Sequence, residues 1–352
     1  MVTKGRSVKN PLAAFDGQSL ITPTAVNREV FPSGAPADER QLRIARDELT
    51  LILQVASQQI QADRSPDQII DRLIRSLHES REKYRAVWPD LIPMVQDHPV
   101  AAYFHNDPFT RWSFEKPRGY SGDASLIDFI YGHPDIAADV ERASPLGRTL
   151  YEYTRNAPSA VAVRERRDLL TRTVDETAAK VGPETEVLAV AAGHLREAET
   201  SRALREGGIK RWVALDQDPL SVGRTMRDFN GTPIDAMDGS VRGLLKNAYS
   251  LRQFDLIYAA GLYDYLADKV AVKLTQTCLS MLKPGGMFLF ANFSTEVPDD
   301  GYMETMMNWT LLLRSQSEMW SIIEASLEGQ PAEKNVFFGA NRNIIYGTIR
   351  KP

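Results

Sequence analysis

EVLAVAAGHLREAETSRALREGGIKRWVALDQD, residues 186–218, is the stretch that decides the fold. An apolar run from Glu186 reaches a tight turn at Ala191, Ala192 and Gly193, passes into a helix-like segment, and returns as a second apolar run that ends on Asp216. Strand, turn, helix and strand in this order make half of a nucleotide-binding βαβ unit. A glycine lacks the Cβ that would hold a ligand away from the backbone, so the Gly193 turn admits close approach. Asp216 lies 23 positions after Gly193, where a carboxylate at a strand tip can accept both hydroxyls of a ribose. Only one glycine of the G-x-G-x-x-G dinucleotide pattern is present, so the kind of nucleoside has to be read from the rest of the chain.

Bulk properties narrow the class. The 352 residues suffice for one large core and an accessory domain. A hydrophobic content of 43% with 25% charged residues is that of a soluble globular protein. The formal charge of -4 provides no basic face, so nucleic acid is not an expected partner. Cys278 is the single cysteine, which excludes a disulfide framework or a cysteine metal cluster and suits a reducing cytoplasm. No apolar run approaches the ~20 residues of a membrane span, and the N-terminus has no signal-like apolar segment. The expectation is a cytoplasmic protein with a small-molecule substrate and no membrane partner. Nothing in the sequence indicates an oligomeric state.

The chain reads as three parts. Residues 1–36, punctuated by Pro11, Pro23, Pro32 and Pro36, are expected to form a loose arm that Phe15, Leu20 and Phe31 pin to the body. Residues 37–164 are expected to form a helical cap. There Leu42, Ala45, Leu49, Ile52, Leu53 and Ala56 recur at spacings of three and four, the mark of one buried helix face. Ser65, Pro66 and Gln68 offer a capping residue, a proline at the first helical position and a glutamine at the third, ahead of the stripe Ile69, Ile70, Leu73, Ile74 and Leu77. Between Trp88 and Tyr131 aromatics, prolines and glycines crowd into what reads as an aromatic loop, and helix returns from Leu146 to Val174.

Residues 165–352 alternate strands with helices. EVLAVAA, RWVALD, FDLIYAAG and MFLFANF are short apolar runs suited to a parallel sheet covered on both faces, an α/β fold. NVFFGANRNIIYGTIRKP closes the chain as two strand-like runs around the turn at 340–343, an antiparallel C-terminal hairpin. Gly193, Asp216 with Gln217, the group Asp238, Gly239 and Ser240, and Gly261 with Leu262 all follow strand ends. In open parallel sheets that edge holds the ligand.

Together these elements resemble the class I S-adenosylmethionine-dependent methyltransferases over residues 165–352, with the hairpin in the place of their reversed seventh strand. The resemblance implies a Rossmann-like sheet with S-adenosyl-L-methionine as cofactor; the five histidines, none at metal-ligand spacing, give the expectation of no metal. It further implies that the Gly193 turn lies against the methionine part, that Asp216 holds the ribose, and that Asp238, Gly239 and Ser240 flank the adenine. Gly261 and Leu262 would border the same pocket. KPRGYSGD (116–123), SAVAVRERRDLL (159–170), AGLYDYL (259–266) and MNWTLLLRSQSEM (307–319) resemble one branch in particular, known for making the methyl ester of 3-hydroxypalmitic acid. In the first loop, 192–195 read Ala-Gly-His-Leu where that branch has a cysteine-glycine-proline type of turn.

The remaining candidates follow from chemistry. Arg118 and Tyr120 stand in a loop with two glycines and a proline, which is expected to fold over the cofactor as a lid; the alternative is a turn in which Arg118 pairs with Asp123. Of Arg164, Arg166 and Arg167, Arg166 is the choice to reach the methionine carboxylate, against a solvated helix face. Tyr263 and Tyr265 are candidates to line an acceptor pocket, and Asp264 to act as a base or to cap a helix. Asn292 ends the fifth strand, aimed at the same crevice or serving as a turn residue. His194 either contacts the ligand, accepts a proton or starts a helix, and no histidine shows metal-ligand spacing.

Methyl transfer from a sulfonium asks the protein mainly to align two reactants and exclude water, which suits a sequence with no obvious nucleophile or metal. The leading expectation is a methyltransferase acting on a small or fatty carboxylic acid. Members similar to the branch are azetidine-2-carboxylate synthases, in which the cofactor's own amine displaces methylthioadenosine. That reading needs aromatic faces, with Tyr120, Phe129, Tyr151 and Tyr153 as candidates, and a polar group such as Asn292. A non-catalytic cofactor-binding protein is the third reading.

Overall fold

Caps and apolar spacing account for the helices of the N-terminal half. The computed structural model describes residues 23–31 and 38–352. In it α1 (Pro23–Val30), α2 (Glu39–Gln61), α3 (Pro66–Lys83), α4 (Trp88–Gln96) and α5 (Ala101–Phe104) precede α6 (Pro108–Glu115), α7 (Ala124–Tyr131), α8 (Ala137–Arg142), α9 (Pro145–Arg155) and α10 (Pro158–Val181). Asp38 caps α2 through the amides of Arg40 and Gln41, and Ala45, Leu49, Leu53 and Ala56 form its buried stripe. Proline opens α3 as expected, but the Ser65 side chain makes no capping hydrogen bond. The Ser65 carbonyl accepts from Gln68 and Ile69 instead. Phe15 and Leu20 lie outside the described residues, and Phe31 packs against the core.

The stretch from Trp88 to Tyr131 corrects the expected loop: most of it is helix. Asp107 caps α6 through the Phe109 amide with Pro108 in the first turn, and Lys116, at φ 48°, ends it in the left-handed conformation. Asp123 caps α7 through the amides of Ser125 and Leu126. The irregular segment shrinks to 116–123.

The sheet holds β1 (Thr185–Val190), β2 (Ile209–Asp216), β3 (Ile234–Asp238), β4 (Phe254–Ala259), β5 (Leu282–Phe293), β6 (Glu333–Phe338) and β7 (Ile344–Arg350) in the order β3-β2-β1-β4-β5-β7-β6. Pairings from β3 through β5 are parallel, while β7 runs antiparallel to both β5 and β6. The connecting helices are α11 (Arg196–Thr200), α12 (Arg202–Arg205), α13 (Pro219–Asp228), α14 (Val241–Leu245), α15 (Asp268–Ser280), α16 (Asp300–Thr305) and α17 (Gln316–Leu327).

Side chains alternate across a strand, so β1 sends Val187 and Ala189 into one core and Leu188 and Val190 into another. The second core packs against α15 and α17. The first is continuous with the helical layer from α2 to α10. An expected boundary at 164/165 therefore falls inside α10, an unbroken helix that touches β1, β4 and β7 on one side and α7 and α9 on the other. Cap and sheet are joined by a shared helix and a shared core, because neither buries its apolar face alone. Among the described residues no helix is long and apolar enough to cross a membrane.

Candidate functional site

A crevice opens at the C-terminal ends of β1 and β4, the point where strand order reverses and where α/β sheets present loops to a ligand. The loop after β1 makes its rim. Ala191, Gly193 and Leu195 all take positive φ, 56°, 57° and 52°, so alternate residues turn the chain tightly. A Cβ on Gly193 would stand 3.3 Å from that of Ala124 at the start of α7. The missing side chain thus makes room for the cap as well as for the turn.

Asp216 lines the crevice, 8% exposed, and is held in place by two backbone donors. The Gly193 amide reaches Oδ2 at 2.7 Å and the Asp218 amide reaches Oδ1 at 2.8 Å. Burial pushes its carboxyl upward against the pull of these amides. A carboxylate has about four acceptor positions, so each oxygen retains capacity for a hydroxyl. Gln217, Gly239, Ser240, Gly261 and Leu262 also line the wall. Ser240 at the same time caps α14 through the Gly243 amide. Asp238, expected beside the adenine, is exposed on the edge strand outside the wall.

The loop over the crevice closes by a different contact from the expected one. Arg118 pairs with Asp218 through Nη2, and its Nε donates to Asp218 Oδ2 at 3.1 Å. The Tyr120 hydroxyl donates to the same Oδ2 at 2.9 Å. Burial would raise the Asp218 carboxyl, but hydrogen bonds led by that from Arg118 hold it below the usual range. Arg118 is thus a latch, and neither a crevice residue nor the partner of Asp123, which receives the Trp112 indole N–H instead. Tyr120 does line the crevice.

Arg166 reaches the crevice from α10, 6% exposed, and makes no hydrogen bond or ion pair among the described residues. Its Nη2 lies 3.6 Å from where a Cβ on Gly261 would stand, against the turn after β4. Two carboxyls feel its charge. Asp264, 2% exposed, accepts the Phe293 amide on Oδ1 at 2.6 Å. Burial pushes it up to about 6, tempered by Arg166. Glu197 accepts the Tyr258 hydroxyl at 2.6 Å and is also raised by burial, with Arg166 pulling the other way. Asp264 does not cap α15, whose leading residue is Ala267.

Several expected site residues are turned away. Asn292 is fully buried: its Nδ2 donates to the carbonyls of Phe293 and Leu312, and its Oδ1 accepts from Arg314. Arg314 also donates to the Tyr263 and Leu266 carbonyls, so Asn292 belongs to a staple between two strand ends. Tyr263 lies in the core against Phe290, with its hydroxyl bonded to Thr275. Tyr151 packs edge-on to Phe129 and donates to that residue's carbonyl. Phe129 is core, and Tyr153 bonds Asp71 away from the crevice. The aromatic wall is built by Tyr120, Tyr131, Tyr258, Tyr265, Phe293 and Trp309. The three- and four-residue spacing of Val163, Arg166 and Leu170 on α10 is a signal that could have marked one wall; Trp309 had only its place in the 307–319 motif, and Glu197 and Tyr258 had none.

His194 lines the crevice and its Nδ1 lies 2.8 Å from Asp128 Oδ2, the carboxylate that Arg196 grips with Nε and Nη2. It does not start α11, which Leu195 precedes. Asp128, His133 and Asp135 bring ligand atoms within 4.8 Å of one another, but Arg196 already occupies both carboxylates.

No family model and no curated protein matches this sequence. Solved structures do. A possible exported protein from Bordetella parapertussis is 18% identical, with 65% of this chain and 79% of that chain covered at a TM-score of 0.52. A DUF574 family protein from Streptomyces avermitilis is 17% identical over 65% of this chain and 97% of its own, TM-score 0.47. The N-methyltransferase NodS from Bradyrhizobium japonicum, in complex with S-adenosyl-L-homocysteine, is 20% identical over 56% of this chain and 89% of its own, TM-score 0.39. The first likeness alone is close enough to speak for the fold. Parallel strands in the order β3-β2-β1-β4-β5, closed by β7 antiparallel between β5 and β6, give this chain the fold of the class I S-adenosylmethionine-dependent methyltransferases.

Proposed function

We propose that the protein is an S-adenosylmethionine-dependent methyltransferase acting on a small or fatty carboxylic acid. The observation that carries the cofactor is Arg166. A buried guanidinium without a partner is costly unless a ligand's anion completes it, and its planar fork matches a carboxylate. Flanked by Asp264 and Glu197, it forms a receptor for a group bearing a carboxylate and an ammonium together. Asp216, lining the same crevice, suits a ribose. The residues present therefore fit S-adenosylmethionine, with its amino-acid end at Arg166 and its nucleoside at Asp216, Gly239 and Ser240.

Bound there, the cofactor would supply an electrophilic methyl group on a sulfonium. The chain's own residues supply alignment and exclusion of water. Arg166 and Asp216 fix the two ends, the Arg118–Asp218 latch closes the loop, and Tyr120, Tyr265 and Trp309 offer π faces suited to a cation. A carboxylate acceptor is already anionic, so no general base is required of the site.

The test is calorimetric titration of S-adenosylhomocysteine, followed by incubation of cofactor with 3-hydroxy fatty acids and analysis for methyl esters. Tight binding that Arg166→Met weakens supports the reading. Absence of binding overturns the cofactor assignment, and absence of any ester overturns the acceptor class.

Asp264 favours a second reading, S-adenosylmethionine as substrate of a cyclase forming azetidine-2-carboxylate and methylthioadenosine. A carboxyl at about 6 beside the amino-acid receptor can accept an ammonium proton near neutral pH, and it takes the part expected of Asn292. Cofactor alone decides: methylthioadenosine released without acceptor supports cyclisation, and adenosylhomocysteine formed only with acceptor supports methylation.

A further inference from the structure

Behind the crevice lies a smaller chamber that shares three of its walls, Val163, Phe293 and Trp309. It sits inside the helical layer, bounded by apolar side chains of α3, α6 and α7 and by Met303 and Met307. Its volume of about 20 Å³ holds one water-sized or methyl-sized group. The two methionines are unbranched and adaptable, so that wall can yield.

The polar groups around the chamber are instructive. Thr154 donates to Asp107 at 2.8 Å, the Tyr302 hydroxyl lies 3.1 Å from that of Thr110, and Ser159 donates to Asp299 Oδ2. Asp299 Oδ1 is the exception: it is buried with no hydrogen-bond partner among the described residues, in a residue 3% exposed. Helix capping does not explain it, because Asp299 precedes α16 without making a side-chain cap. Leaving a buried acceptor unpaired is costly, so a ligand's donor placed there is favoured. Burial pushes this carboxyl up to about 6 against the pull of its Ser159 hydrogen bond, and Oδ1 is the one of its two oxygens left without a donor among the described residues.

We propose that the chamber receives the tip of the acceptor, whose apolar stem enters from the crevice past Trp309 and ends in one hydrogen-bond donor, a hydroxyl or an ammonium, accepted by Asp299 Oδ1. This rests on the methyltransferase reading and deepens it: the acceptor is a carboxylic acid with a donor at its far end. Only the tip fits the chamber, so chain length and terminal group are selected together. Trp309, whose indole N–H is held by the Tyr265 hydroxyl at 2.8 Å, forms the partition that sets the length.

The experiment loads the full chain with S-adenosylhomocysteine and titrates ω-hydroxyalkanoates of increasing length, the corresponding ω-ammonio acids, and plain alkanoates of equal heavy-atom count. One length of a donor-tipped acid is expected to bind at least about tenfold tighter than its plain counterpart, and whichever donor series wins identifies the tip. Asp299→Leu is expected to abolish that preference while adenosylhomocysteine binding stays unchanged. Equal binding of tipped and plain acids at every length overturns the proposal, as does a preference that survives Asp299→Leu. If that variant does not fold, discrimination by the native protein decides alone. A crystal structure with the best probe that shows only water at Oδ1 overturns it too. Failure to bind adenosylhomocysteine refutes the underlying function instead, so the two failures are distinct.

Discussion

Replacing Gly122 by alanine tests how the loop at 116–123 is seated. Gly122 has φ +72°, and a Cβ there would overlap the Tyr265 hydroxyl oxygen and stand 3.2 Å from its Cζ. The left-handed backbone costs an alanine roughly 1–2 kcal/mol. Displacing Tyr265 removes the partner of the Trp309 indole N–H, which adds about 1–3 kcal/mol for a buried donor left unpaired. The sum is roughly 2–5 kcal/mol. At about 2.1 cal/mol/K per residue, 352 residues give an unfolding entropy near 0.7 kcal/mol/K, so 1 kcal/mol moves Tm by about 1.4 °C. Gly122→Ala is thus expected to lower Tm by about 3–7 °C. Gly207→Ala is the control: φ is +73°, with nothing within 4 Å of a built Cβ, so only the backbone cost applies, about 1–3 °C. Scanning calorimetry of both variants beside the native chain measures the difference. If the two melt together, Tyr265 does not hold the 116–123 loop in place.

Other outcomes follow from the same geometry. Arg166→Met should weaken adenosylhomocysteine binding by about tenfold or more, whereas Arg167→Met, whose guanidinium lies over the Tyr131 ring, should change it little; calorimetry reads both. Asp218→Ala removes the acceptor of Arg118 and Tyr120 and the cap of α13. It should cost about 2–4 kcal/mol and make the 116–123 segment cleavable in limited proteolysis. Asp264 titrates near 6 in the fold, above an ordinary carboxyl. Between about pH 4 and 6 the native state therefore binds more protons than the unfolded chain, and the group's contribution falls as pH rises, by about 3 kcal/mol across the window. Subtracting the Tm–pH profile of Asp264→Asn from that of the native protein isolates this term; a flat difference refutes the burial argument.

What could be read from sequence was what local rules control. The runs at β1, β2, β4 and β5 are apolar throughout because parallel strands are covered on both faces, and the turn at 340–343 announced the hairpin. Gly193 and Asp216 were found because both sit at strand ends, where the fold presents its ligand. The misassignments are long-range. Arg118 has its partner 100 positions away, and no local rule chooses Asp218 over the nearby Asp123. Asn292 and Asp264 are both polar residues near strand ends; Arg314, 22 positions beyond Asn292, claims one and leaves the other to the crevice. Tyr151 and Tyr263 were legible as aromatic, but the direction of a ring depends on the neighbouring helix.

The continuity of the helical layer with the C-terminal elements bears on how the chain matures on the ribosome. Arg81 and Trp88 both bind Glu304, the latter across 216 positions, and His78 binds Asp300. At about 5–20 residues per second, those positions emerge roughly 10–40 s after Trp88. Through that interval α3 and α4 lack their last packing partners, so the nascent cap must wait with apolar surface uncovered. Vectorial synthesis thus makes this N-terminal layer among the last parts to close, and the stretch of its life in which chaperone capture matters most is set by how long the sheet takes to be made.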